Sequence, residues 1–226
     1  MEQLNAALEQ HSYAEILDRA TDVPSTERTD GWRDAVTKSA AEVLRAMKPT
    51  EKSPLFVVNR ATELAVRFRF IESRPEFVAA RGEVIVAALR RCWDADDQRC
   101  LRALDAHTQS LSGKAALDAA KVLQRGGVPW GAMSYIERAV ASERTLCTNA
   151  LVRTVTLSAL TTPADQPVAA SARRVAFELC WDALMPATKE GMVGASDAYL
   201  QNCCKAMRDK GALSGLQDEI CLDEDL

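Results

Sequence analysis

Eight prolines divide this chain, and their placement restricts the fold more than any other feature of the sequence. Proline lacks an N–H and holds φ near −65°, so it suits the first turn of a helix and breaks a helix interior. Ser53-Pro54 stands before LFVVNRATELAVRFRF, and Pro75 opens EFVAARGEVIVAALRRCW, both as cap-and-start signals. Pro129 follows Gly126-Gly127 and precedes WGAMSYIERAVASE, while Pro49, Pro163 and Pro186 each follow an alanine-rich or leucine-rich run. Between these marks the apolar spacing is helical: Val78, Ile85, Leu89 and Cys92 follow one another at steps of 7, 4 and 3 on one face. Strand-like alternation is nearly absent. Alanine occurs 37 times and aromatics make up only 5% of the chain, which favours helix over sheet on propensity alone.

Taken in order, the marks predict about ten helices, over residues 2–10, 12–21, 30–47, 54–72, 76–93, 97–109, 112–125, 129–141, 143–160 and 166–185, with one or two more from 195 onward. Short connections make successive helices antiparallel neighbours. The expected fold is therefore all-α, an irregular α-solenoid or helical bundle of antiparallel helices. A chain of 226 residues can bury one large core or two small ones. With no Gly/Ser-rich or Pro-rich linker in view, a single helical domain over 1–226 is expected, and MKPTEKSP, near 48–54, is its softest boundary.

One short motif recurs. ALRRCWDA and AFELCWDA, carrying Cys92-Trp93-Asp94 and Cys180-Trp181-Asp182, share five of eight positions at an offset of 88 residues. That offset holds two units of the ~40–47 residues found in HEAT or armadillo arrays. The segment DQPVAASARRVAFELCWDAL, Asp165 to Leu184, resembles a HEAT-type helix in its aspartate, small residues and arginines, over about 20 residues. The resemblance implies a HEAT-like hairpin array with an extended helical surface. The tetratricopeptide pattern of tryptophan, leucine-glycine and tyrosine is not found.

The cysteines are Cys92, Cys100, Cys147, Cys180, Cys203, Cys204 and Cys221. Zinc sites want CxxC pairs or clustered histidines, whereas the chain has no CxxC and only His11 and His107. The leading expectation is buried thiol packing, since Cys92 shares a face with Leu89 and Ile85, and Cys147 with Leu151 and Val155. The alternative is a disulfide, for which Cys92 and Cys100 are the candidate pair, because a helical hairpin brings their ends to the ~5.5–6 Å Cα separation a bridge needs. Asp94, Asp96, Gln98 and Asp105 copy part of an EF-hand loop, but Arg99 stands where glycine must turn and Asp105 where a glutamate must bind. The run reads instead as an interhelical turn in which Asp96 or Asp97 caps the next helix. RGGVPWG, from Arg125 to Gly131, is a helix stop and start, and GALSG lacks the register of a nucleophile elbow. No catalytic, cofactor-binding or metal-ligating residue is nominated.

Nine arginines and no lysine fall between Ser53 and Gly113, beside eight acidic residues, so the interval reads as a solvated, salt-bridged face, with a groove for an acidic partner as the alternative. Trp32, Trp93, Trp130 and Trp181 stand near helix ends as plugs between helices. Trp130, with Tyr135 nearby, and Arg67 are the candidate partner contacts. The C-terminal LQDEICLDEDL carries five acidic residues and reads as a solvated tail. A formal charge of −4 gives no bulk attraction to nucleic acid, and no apolar run reaches the roughly 18–20 residues of a membrane span.

MEQLNAALEQ lacks the basic start and apolar core of a secretory signal, so a cytoplasmic chain is expected, or a periplasmic or secreted one if Met1 was added to a processed chain. The expected function is a non-enzymatic adaptor that binds a protein or peptide on a helical face, without cofactor. An exported, disulfide-braced scaffold and a helical enzyme with an unrecognised site are the alternatives.

Overall fold

The computed structural model of the chain describes residues 10–49, 53–125, 129–160, 166–180 and 183–184, with the side chains of Pro129, Trp130 and Leu160 excepted. Among them it is all-α. The helices are α1 (Tyr13–Arg19), α2 (Asp30–Ala46), α3 (Leu55–Arg67), α4 (Pro75–Asp94), α5 (Gln98–Thr108), α6 (Gly113–Arg125), α7 (Pro129–Ser142), α8 (Ala150–Leu160) and α9 (Pro167–Arg173). The segments expected over 2–10 and from 195 onward lie outside the described residues. No helix among those described is long and apolar enough to cross a membrane.

The buried side chains of the described residues form two cores. The smaller gathers α1, α2, α3 and the first half of α4 around Trp32, Leu44, Leu64, Phe68 and Phe77. Trp32 meets Phe70 at 5.3 Å and Phe68 at 6.5 Å between ring centroids, while the Arg28 guanidinium covers its other side at 5.1 Å. The larger core runs from the second half of α4 through α6, α7 and α8 to Cys180 and Leu184. Residues 48–54 separate two helices, α2 and α3, that contribute to the same smaller core.

α4 belongs to both cores. Phe77, Ala80 and Val84 face the smaller one, and Ile85, Leu89 and Cys92 face the larger. Val78, expected on the Ile85 face, is 43% exposed, because the N-terminal end of α4 is closed by the neighbouring Phe77, which is fully buried. On either side of α4 lie α2 and α6, both running in its direction. Asp34 and then Arg45 of α2 reach Arg74 and then Glu83, at 3.9 and 3.4 Å. α3 and α5 return between them.

Three expected helices are interrupted. The helix over 54–72 ends at Phe68, which leaves helical geometry (φ −126°, ψ 67°) so that both Phe68 and Ile71, in the following 3₁₀ turn, enter the core. The helix over 143–160 is instead a 3₁₀ turn, Arg144–Thr148, then an extended Asn149, then α8. The Asn149 Oδ1 accepts the Leu151 N–H at 3.0 Å and caps the new start. The helix over 166–185 widens after Arg173 into a π turn, Arg174–Leu179, closed by the Cys180 N–H donating to the Val175 carbonyl at 2.8 Å.

The crossing of α4 and α6 is close because Gly82 has no Cβ. A Cβ built there would lie 2.8 Å from the Ala115 Cβ. Gly82→Ala therefore sets a helix-propensity gain of about 1 kcal/mol against an overpacking cost of about 1–3 kcal/mol. Thermal unfolding followed by circular dichroism is expected to show a lower midpoint for Gly82→Ala, and Ala115→Gly in the same chain is expected to restore it.

Candidate functional site

The joint between α4 and α5 shows how local chemistry places side chains. The Asp97 carboxylate accepts the N–H groups of Arg99 and Cys100, both at 3.0 Å, and so caps α5. Asp96 takes a left-handed conformation, φ 50°, which the short polar side chain of aspartate tolerates. This turn brings Cys92 and Cys100 into a disulfide with a Cα separation of 5.6 Å. A second disulfide joins Cys147, in the 3₁₀ turn before α8, to Cys180, at the end of the π turn, with a Cα separation of 5.3 Å. The leading expectation that Cys92 and Cys147 pack as buried thiols is replaced by these two bridges, the first of which is the candidate pair. Cys203, Cys204 and Cys221 lie outside the described residues.

The candidate partner contacts are placed apart. Arg67 is exposed on α3, donates to Thr21 Oγ1 at 3.1 Å, and lies 5.2 Å over the Phe68 ring. Tyr135 is buried in the larger core beneath the Arg138 guanidinium, 4.5 Å from its ring centroid. Trp130 lies in the first turn of α7, and its side chain is outside the described residues, as are Trp181, GALSG and the acidic C-terminal stretch. Trp32 is a buried plug, and Trp93 is half-buried against the larger core.

Among the described residues, two hollows follow one another along α4 and α6 and form a shallow groove. One hollow of about 400 Å³ lies beside the Gly82–Ala115 crossing, floored by Ala79, Val86, Ala87 and Ala115. A second, of about 340 Å³, is lined by Trp93, Asp94, Val122 and Arg125. Arg90 lines both, so the two hollows adjoin along α4 and α6. From Ala79 to Asp94 the groove follows α4 for about 22 Å at the helical rise of 1.5 Å per residue. A larger hollow of about 550 Å³ between α2 and α4 is shorter along the helices and is crossed by the Asp34–Arg74 pair.

The groove carries charge of both signs on its rims. Asp118 on α6 accepts Lys121 Nζ at 2.7 Å and Lys114 Nζ at 2.9 Å. Burial raises the carboxyl pKa, but the hydrogen bonds from Lys121 and Lys114 overcome it and hold the group below its ordinary value. At the far end of α5, burial and then the Arg81 charge lower the His107 pKa.

The heptad-like steps of the two lining stripes are visible in the sequence: 79, 83, 86, 90 and 93 on α4, and 115, 118, 122 and 125 on α6. Only their side-by-side packing makes them one site. Searches against protein-family models, curated proteins and solved structures return no match for this chain.

Because the folded pKa of Asp118 is depressed, its contribution to stability is present above the unfolded carboxylate pKa and is lost as pH falls through the folded value. Asp118→Asn is therefore expected to lower the unfolding midpoint at neutral pH and to narrow its difference from the wild type as pH drops below about 4. A difference that stays constant down to the acid limit would assign the loss to packing rather than charge.

Proposed function

We propose that the protein is a non-enzymatic interaction protein whose α4–α6 groove receives a peptide segment of a protein partner. The observation that carries this reading is the groove itself: an apolar floor of small side chains, rims of both charges and a tryptophan at one end. Peptide grooves between helices work this way, with apolar anchors in the trough and charge setting register. The common direction of α2, α4 and α6, with α3 and α5 returning between them, supports a HEAT-like array as the scaffold, in which successive helices present one ribbed surface.

Ala87 lines the trough and is half-buried, so Ala87→Trp adds bulk there. Selection from a displayed random-peptide library on the full chain is expected to enrich sequences whose affinity falls at least about tenfold in Ala87→Trp, a loss of about 1.4 kcal/mol. No enrichment, or equal binding by the two proteins, overturns the reading.

The two disulfides favour a second reading, a disulfide-braced scaffold protein of an oxidising compartment, since cytosolic thiols are kept reduced. Its test is a thiol count on protein alkylated at the moment of cell lysis and unfolded without reductant. No more than three of the seven cysteines are expected to react before reduction. Seven reactive thiols would sink this reading. In the oxidised protein, removing Cys147 and Cys180 together is expected to lower the unfolding midpoint more than removing Cys92 and Cys100. The loop-entropy model assigns about 3.7 kcal/mol to a bridge spanning 33 residues and about 2.5 kcal/mol to one spanning 8.

A further inference from the structure

Charge in the groove is unevenly satisfied. Glu83 is held by Arg45 at 3.4 Å, and Asp118 by Lys121 and Lys114. Two of the three carboxylates on the rims are thus already met by cations of this chain. Arg90 and Arg125 form no ion pair among the described residues, and they line the same hollow with Trp93, above Val122, which is 4% exposed. Among the described residues, Asp94 is the one carboxylate that lines that hollow.

We infer that the segment received by the groove is an acidic peptide, whose carboxylates meet Arg90 and Arg125 while an apolar side chain rests on Trp93 and Val122; this assignment rests on the groove reading above. The planar guanidinium forks match carboxylates in bidentate geometry, and Trp93 with Val122 supplies the small apolar part of the contact. A basic segment meets two unpaired cations at this end and one carboxylate. The net charge of −4 repels a long polyanion along more of its length than it does a short acidic stretch, so a short acidic stretch fits better than a nucleic acid.

The experiment uses the full chain and three fluorescein-labelled amphipathic peptides, identical except that their polar positions carry Glu, Gln or Lys. Fluorescence anisotropy is expected to show the Glu peptide binding about tenfold more tightly than the Gln peptide at low salt, an advantage that shrinks as salt screens the charges. Arg90→Gln and Arg125→Gln are each expected to weaken the Glu peptide about fivefold and to leave the Gln peptide unchanged, with circular dichroism verifying that both variants are folded.

Equal binding of the Glu and Gln peptides, both lost in Ala87→Trp, overturns the acidic assignment and leaves the groove reading standing. If none of the peptides binds, the acidic assignment falls, and the library selection decides the groove reading separately. A single-stranded oligonucleotide that outcompetes the Glu peptide through Arg90 overturns the assignment in favour of a nucleic acid.

Discussion

The two cores of the described residues meet along α4. Within α4, Val84 faces the smaller core and the next residue, Ile85, faces the larger, so the helix cannot turn about its axis without disturbing both. Interiors are packed to crystal-like density and tolerate little displacement, so α4 acts as a fixed spine. Its remaining outer edge, from Ala79 to Asp94, is therefore held in place, and the groove inherits that rigidity. Gly82 sets the spacing to α6, and the width of the trough follows from that close crossing.

Rigidity matters to the proposed role. A preformed groove binds a peptide without the ordering cost that a mobile surface incurs. The Arg45–Glu83 ion pair on its rim is exposed and contributes little stability, but it fixes where charge stands. Asp118 is the exception in kind, because two lysines converge on one half-buried carboxylate and keep it ionised. What remains unpaired on the rims then defines the chemistry offered to a ligand.

How much of this could be read from the chain varied with the range of the interaction. Pro75 and Pro129 mark helix starts because their effect is confined to one turn. Asp97 is legible as a cap for the same reason: donor and acceptor lie three residues apart. The break at Phe68 was hidden, since the sequence around it is as helical as its neighbours and only burial against Trp32 pulls it out. Asn149 carried a weak signal, an asparagine inside an apolar run. The Cys147–Cys180 bridge gave none, because it depends on how α8 and α9 fold back across 33 residues. The groove was half legible, as two separate stripes whose meeting no local rule predicts.

The Cys147–Cys180 disulfide stands where the described helices are short. α6 and α7 bury apolar faces against each other and carry no cross-link, whereas α8 and α9, of 11 and 7 residues, are too short to persist as isolated helices. The Cys147–Cys180 bond closes a ring around both. Under a stretching load, that ring withholds roughly 110 Å of contour, at about 3.3–3.6 Å per extended residue, from the length the chain can yield. A single peptide-bond cut by a protease between Cys147 and Cys180 likewise leaves one covalent molecule, so damage in α8 or α9 does not shed a fragment.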